Sequence, residues 1–181
     1  MILMPEQNGP DLAELFVLFP PADYLRALEA VSPAQVPQPY GGLLVHKHHM
    51  TVTVEAHHGG LVDVRVLEER RENEAYARKI LLALQKTGKI VQFGLMRIHL
   101  NCCTAAVRDE ILSKRTPLGR ILIEHNVLRR IEPTAYLRAV PGPAMMEWFG
   151  LAEPLPTYGR LALIHCDGKP AVELLEIVAP E

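Results

Sequence analysis

Alternation and helical spacing divide the chain into short segments, each closed by proline, glycine or a charged run. Asp11 to Phe19 has the composition of a short helix capped by Asp11 and stopped by Pro20-Pro21. Asp23 can cap a second helix over Tyr24 to Val31, with Leu25, Leu28 and Val31 on one stripe, ending before Pro33. Ser32 to Gly42, rich in proline and glycine, is expected as a loop. From Leu43 the period changes to two: Met50, Val52 and Val54 alternate with Thr51, Thr53 and Glu55, which predicts a strand turning at His57-His58-Gly59-Gly60 and returning over Leu61 to Leu67.

The charged run Glu68 to Glu74 is expected as a solvated connection. Ala77 to Leu84 and Ile90 to Leu100 then form a hairpin about Lys86-Thr87-Gly88-Lys89. Thr104 caps a helix over Ala105 to Leu112, and Thr116-Pro117 starts another with Leu118, Ile121 and Leu122 inward. Val127 to Val140 is extended, and Pro141-Gly142-Pro143 breaks it. Ala144 to Phe149 is a short helix, and Tyr158 to Cys166 and Ala171 to Ala179 close the chain as a hairpin about Asp167-Gly168-Lys169. The prediction is an α+β fold with a single antiparallel β-sheet of about six strands and helices packed on one side.

Composition narrows the function classes. Nineteen Lys+Arg against 21 Asp+Glu leave a net charge of −2, without the concentrated basic face that a phosphate backbone needs, so nucleic acid is not the expected partner. No apolar run reaches membrane-helix length, and Met1 to Pro10 has no basic segment before an apolar stretch; membrane insertion and secretion are not expected. Cys102, Cys103 and Cys166 make no disulfide framework, which fits a reduced, cytoplasmic protein and core-type thiols. The partner that remains is a small molecule.

Several clusters could carry chemistry. On a strand, His46 and His48 share a face and can offer two imidazoles to a metal, but His49 faces away and His57 and His58 fall in a turn, so no metal is expected. Neither Ser32 nor Ser113 lies in a nucleophile elbow, and no glycine-rich phosphate loop occurs, so no nucleotide cofactor is indicated. Charged residues inside apolar strands are more informative, because their burial costs free energy unless a partner or ligand compensates. Arg78 alternates onto the face of Ile80, Leu82 and Leu84. Glu176 lies among Leu174, Leu175, Ile177 and Val178, with Glu173 three residues earlier. They form a structural Arg–Glu pair, or else Arg78 holds a ligand carboxylate through its bidentate fork while Glu176 meets a hydroxyl or acts as a base. The second option suits a small anionic ring compound.

At these residues the chain resembles the chorismate pyruvate-lyases, which cleave chorismate to 4-hydroxybenzoate and pyruvate. Thr116-Pro117-Leu118-Gly119-Arg120 is similar to that family's turn into a helix. Tyr158-Gly159-Arg160, Gly168-Lys169-Pro170 and Glu176 before Pro180 are similar to its aromatic-Gly-Arg, Gly-Lys-Pro and Glu-x-x-x-Pro series. Arg78-Lys79-Ile80-Leu81-Leu82 resembles its Arg-x-Ile-Leu-Leu strand, and His49-Met50-Thr51 falls at its Met-Thr pair. The resemblance spans Leu43 to Pro180.

It implies one chorismate lyase-like domain over 1–181, with N-terminal helices and loop in 1–42, two hairpins in 43–100, and helices, flaps and a C-terminal hairpin in 104–181. It also implies a cofactor-independent carbon–oxygen lyase, a monomer or homodimer. In that scheme Arg78 binds the ring carboxylate with the Met50 and Leu118 amides beside Gly119, Glu176 meets the ring hydroxyl, and Arg160 reaches the departing pyruvate. The chain departs from the family by extra residues between Arg120 and Tyr158 and one more between Pro170 and Glu176, which makes Glu173 a rival carboxylate on the opposite strand face. The alternative is a non-catalytic binding domain for an aromatic carboxylate, because the effector-sensing domain of HutC-type regulators resembles the same fold. The residues ahead of Leu43 are too few and too proline-rich for a helix-turn-helix, which favours a free-standing enzyme.

Overall fold

The computed structural model describes residues 10–72 and 74–181; Met1 to Gly9, read above for a leader, lie outside them. Seven strands form one antiparallel sheet in the order β1-β5-β6-β7-β4-β3-β2. They are β1 (Leu25–Val31), β2 (Val62–Glu72), β3 (Ala75–Leu84), β4 (Ile90–His99), β5 (Arg129–Pro141), β6 (Thr157–Cys166) and β7 (Lys169–Val178). The single antiparallel sheet with its helical layer is the predicted architecture, with seven strands for about six.

Among the described residues six α-helices accompany the strands: α1 (Leu12–Leu18), α2 (Tyr40–Leu44), α3 (Met50–His58), α4 (Ala105–Ser113), α5 (Leu118–Glu124) and α6 (Pro143–Phe149). Helices α2 to α5 lie over one face, where Leu44, Val54, Ile111 and Ile121 close a core with Tyr76, Ile80 and Ile98. On the other face Leu15 and Phe19 from the α1 segment and Met145 from α6 meet Phe93, Leu161 and Leu175. Two caps act as expected: Asp11 accepts from the amides of Ala13 and Glu14, and Thr104 accepts from Val107.

Several boundaries differ from the sequence reading, each for a local reason. Tyr24 to Val31 is not a helix: Leu25–Val31 is edge strand β1, and a register shift between Leu25 and Ala27 resets the alternation. That bulge buries both Leu25 and Leu28, three apart, and so imitates a helical stripe. The expected strand through Met50 to Glu55 is helix α3, which puts Met50, Thr51 and Val54 inward, and the start of the supposed strand and end of the supposed loop form α2. The first of the two expected hairpins is therefore absent, and β2, β3 and β4 make a meander. Glu68 to Glu72 is not a connection but the outer half of β2, where an edge position lets the side chains of Glu68 to Arg71 reach water. At α5 the cap position is Pro117, one residue after Thr116, and Thr116 supplies no side-chain cap.

Candidate functional site

Where β3, β4 and β7 run under the first turns of α3 and α5, the sheet and helical layer enclose a small cavity, with about 30 Å³ open to the centre of a water molecule. Its floor is apolar, with Val64, Ile80, Leu82, Met96, Ile164 and Leu174. Arg78, Gln92 and Glu176 stand among them, and His49, Met50, Thr51, Leu118 and Gly119 form the roof.

Strand register sets the spacing of the charged groups. Arg78 pairs with Met96 and Met96 with Leu174, while Gly94 pairs with Glu176. Arg78 and Glu176 thus share a face, two strands and two residues apart, which puts their Cα atoms about 12 Å from each other.

Arg78 is fully buried. Its Nε donates to Met96 Sδ at 3.1 Å and its Nη1 to the Ile111 carbonyl at 3.5 Å, whereas Nη2 has no hydrogen-bond partner among the described residues. No carboxylate pairs with it there. Burial pushes the guanidinium pKa down, opposed by the Tyr76 phenol. Gln92 complements it: its buried Oε1, an acceptor, is likewise without a partner among the described residues. One orphaned donor and one orphaned acceptor therefore face the same cavity, in a fold where buried polar groups are normally satisfied.

Glu176 has a partner. Arg160, across β6 and β7 and also buried, donates from Nε to Glu176 Oε2 at 2.8 Å. Its Nη1 donates to the carbonyls of Leu44 and His46, and its Nη2 to that of His48 at 3.0 Å. Arg160 thus fastens the segment between α2 and α3 to the sheet, and it lies outside the cavity wall. Glu173 lies on the opposite face, bound by Arg97, which also pairs with Glu14. That face-to-face separation takes Glu173 away from the cavity, as strand alternation predicts.

Neither α3 nor α5 has a side-chain cap, so the amides of Met50, Thr51, Leu118 and Gly119 have no partner within their helices. The two helix starts can sit this close only because residue 119 is glycine: a Cβ there would lie 2.9 Å from Thr51 Oγ1 and 3.0 Å from His49 Cβ. A second glycine matters at 159, where a Cβ would collide with the Glu176 backbone carbonyl oxygen. These contacts explain the two glycines in the motifs quoted above.

His49 was not singled out for the site. Being off the expected strand, it becomes the last residue before α3, buried, with Nε2 accepting from Arg129 Nε at 2.7 Å. Desolvation first, then the charges of Arg129 and Arg160, lower its pKa to about 4, so the ring is neutral and carries its proton on Nδ1. Thr51 and Gln92 were missed as well; Gln92, a polar residue in the apolar run of β4, was the signal available. His46 and His48 do not share a strand face: His48 N–H donates to His46 Nδ1 and the rings tilt at 5.4 Å. The cysteines are free, and burial raises the thiol pKa of Cys103 and takes that of Cys166 to about 12, which disfavours the reactive thiolate. Among the described residues no helix is long and apolar enough to cross a membrane.

No protein-family model matches the chain, and no curated protein sequence matches it. Among solved structures, PhnF from Mycobacterium smegmatis aligns with a TM-score of 0.55 at 11% identity, over 75% of this chain and 65% of PhnF. The ligand-binding domain of a GntR-family transcriptional regulator from Bordetella bronchiseptica aligns with a TM-score of 0.48 at 14% identity, over 65% of this chain and 84% of that domain. The chain spans 65% of the length of PhnF. At such identities the likeness is one of fold, and it is the likeness to PhnF that carries it: this chain has the α+β architecture of a chorismate lyase-like fold.

Proposed function

We propose that this protein binds a small aromatic carboxylate of the hydroxybenzoate class in the cavity under α3 and α5. The observation that carries the reading is the unpaired Nη2 of buried Arg78. Taking a cation out of water costs several kcal/mol, and a ligand carboxylate can recover that through a bidentate, charge-assisted pair. The free amides at the starts of α3 and α5 add donors to the same roof. Gln92 Oε1 and Glu176 accept, so a ring hydroxyl finds its partner at that side. Glu176, fixed by Arg160, serves as a stationary acceptor, and the same guanidinium ties it to the segment between α2 and α3.

A second reading is favoured by one specific observation: Arg78 and Glu176, the pair that the lyase resemblance names, line one cavity. In a chorismate pyruvate-lyase reaction the ring carbon bearing the hydroxyl loses its proton, the ether bond to the adjacent ring carbon breaks, and enolpyruvate leaves as pyruvate. Aromatisation drives the step, and the protein orients and desolvates the substrate. Arg78 would hold the ring carboxylate and Glu176 the hydroxyl.

One titration series tests both. Calorimetry with 4-hydroxybenzoate should show saturable binding that Arg78→Met weakens about 10- to 100-fold, as expected for losing a charged hydrogen-bonded contact. 4-Hydroxybenzyl alcohol, lacking the carboxylate, should not compete. Equal binding of acid and alcohol, or binding indifferent to Arg78→Met, overturns the carboxylate assignment. Chorismate is added in parallel: stoichiometric pyruvate, abolished by Glu176→Gln, selects the lyase, and binding without pyruvate selects the sensing domain.

A further inference from the structure

At the far end of α3 from the cavity, three potential ligand atoms converge. His57 and His58 end the helix, and the chain leaving β7 brings Glu181 against them. His57 Nε2 lies 3.4 Å and His58 Nε2 3.7 Å from Glu181 Oε1, and all three atoms fall within 4.8 Å of one another. In a tetrahedral zinc site with ligand bonds near 2.1 Å, donor atoms stand about 3.4 Å apart, so the imidazole–carboxylate spacings already match, and the two imidazoles stand within 4.8 Å of each other.

The framework around the three is fixed. Glu181 N–H donates to Tyr40 Oη at 2.9 Å, which anchors the end of the strand segment to α2. Gly59, left-handed with φ 64°, ends α3 immediately after His58, and the His58 side chain is only 11% exposed. The carbonyl end of a helix favours a cation, and the outer side is open, as a fourth, water-bearing position requires. A two-imidazole, one-carboxylate set without thiolate suits Zn²⁺ among common divalent ions.

We propose that His57, His58 and Glu181 form a surface site for one Zn²⁺ ion, tying the segment after β7 to the C-terminal end of α3. It is independent of what occupies the cavity: the ion sits at the opposite end of the helix whose start forms the cavity roof.

The test uses the full chain stripped with a chelator and titrated with Zn²⁺ alone, then with Co²⁺. One saturable equivalent is expected, with a rise in unfolding temperature and a Co²⁺ spectrum lacking the thiolate charge-transfer band. His58→Ala and, separately, the exposed His57→Ala should each weaken Zn²⁺ more than tenfold while circular dichroism stays unchanged. If His58→Ala disturbs the fold, His57→Ala and Glu181→Gln decide the matter. Absence of saturable binding, a thiolate band indicating Cys102, Cys103 or Cys166, or affinity unchanged in the variants would each overturn the site.

Discussion

The two faces of the sheet are built on opposite rules. On the α1 and α6 face, Tyr24, Phe93 and Trp148 stack with ring centroids 5.0 to 6.3 Å apart, Leu161 and Leu175 fill between, and charge stays at the rim in the Arg97–Glu173–Glu14 cluster. On the α3 and α5 face, Arg78, Gln92, Arg160 and Glu176 are buried among aliphatics, and two of the four keep an unpaired atom among the described residues. A stable fold can be made from the first pattern alone. Retaining the second carries a desolvation cost, which the ligand proposed for that face would offset.

That contrast can be sharpened by unequal substitutions. The largest effect is expected from Phe93→Ala, which opens a hole in the aromatic face and should cost about 3–5 kcal/mol in urea unfolding while the remaining folded protein binds 4-hydroxybenzoate normally. Loss of affinity with it would mean the faces are not separable.

Acid should strike the other face next. His49, with a pKa lowered from 6.5 to about 4, is neutral when folded and protonated when unfolded between those values. The unfolded chain therefore binds the extra proton, so stability is full above pH 6.5 and declines as pH falls to about 4, by up to about 3 kcal/mol. Urea midpoints at pH 7.5, 6 and 5 should show the slope, and His49→Gln should flatten it. An unchanged slope in the variant would assign the acid sensitivity elsewhere. Gly119→Ala, crowding Thr51 and His49, should cost about 1–3 kcal/mol and also weaken the ligand, because it pries apart the two helix starts. Smallest is Glu173→Gln: its pair is at the rim of the packed face, so less than about 1 kcal/mol and no change in binding are expected. A large binding defect would restore Glu173 as the site carboxylate.

Legibility followed the same division. The β3–β4 and β6–β7 hairpins could be read because alternation and turn residues agree locally, and Arg78 and Glu176 stood out as charges in apolar strands. Met50 to His58 could not: Met-Thr-Val-Thr-Val-Glu alternates as a strand does, and only docking of Met50 and Val54 against the sheet makes it helical. The bulge in β1 disguised a strand as a helix for the converse reason. His49 was lost with the helix it precedes, and the role of Arg160 in holding the 44–48 carbonyls is set by tertiary contact, which no local pattern records.

On the proposed reading Arg78 is kept for a ligand and not for the fold. Equilibrium unfolding of wild type and Arg78→Met, each with and without 4-hydroxybenzoate, tests it most directly. Without ligand the variant is expected to be at least as stable as wild type, since an uncompensated buried charge has been removed. Ligand is expected to raise the unfolding temperature of wild type alone. A variant that is markedly less stable yet still gains stability from the ligand would contradict it.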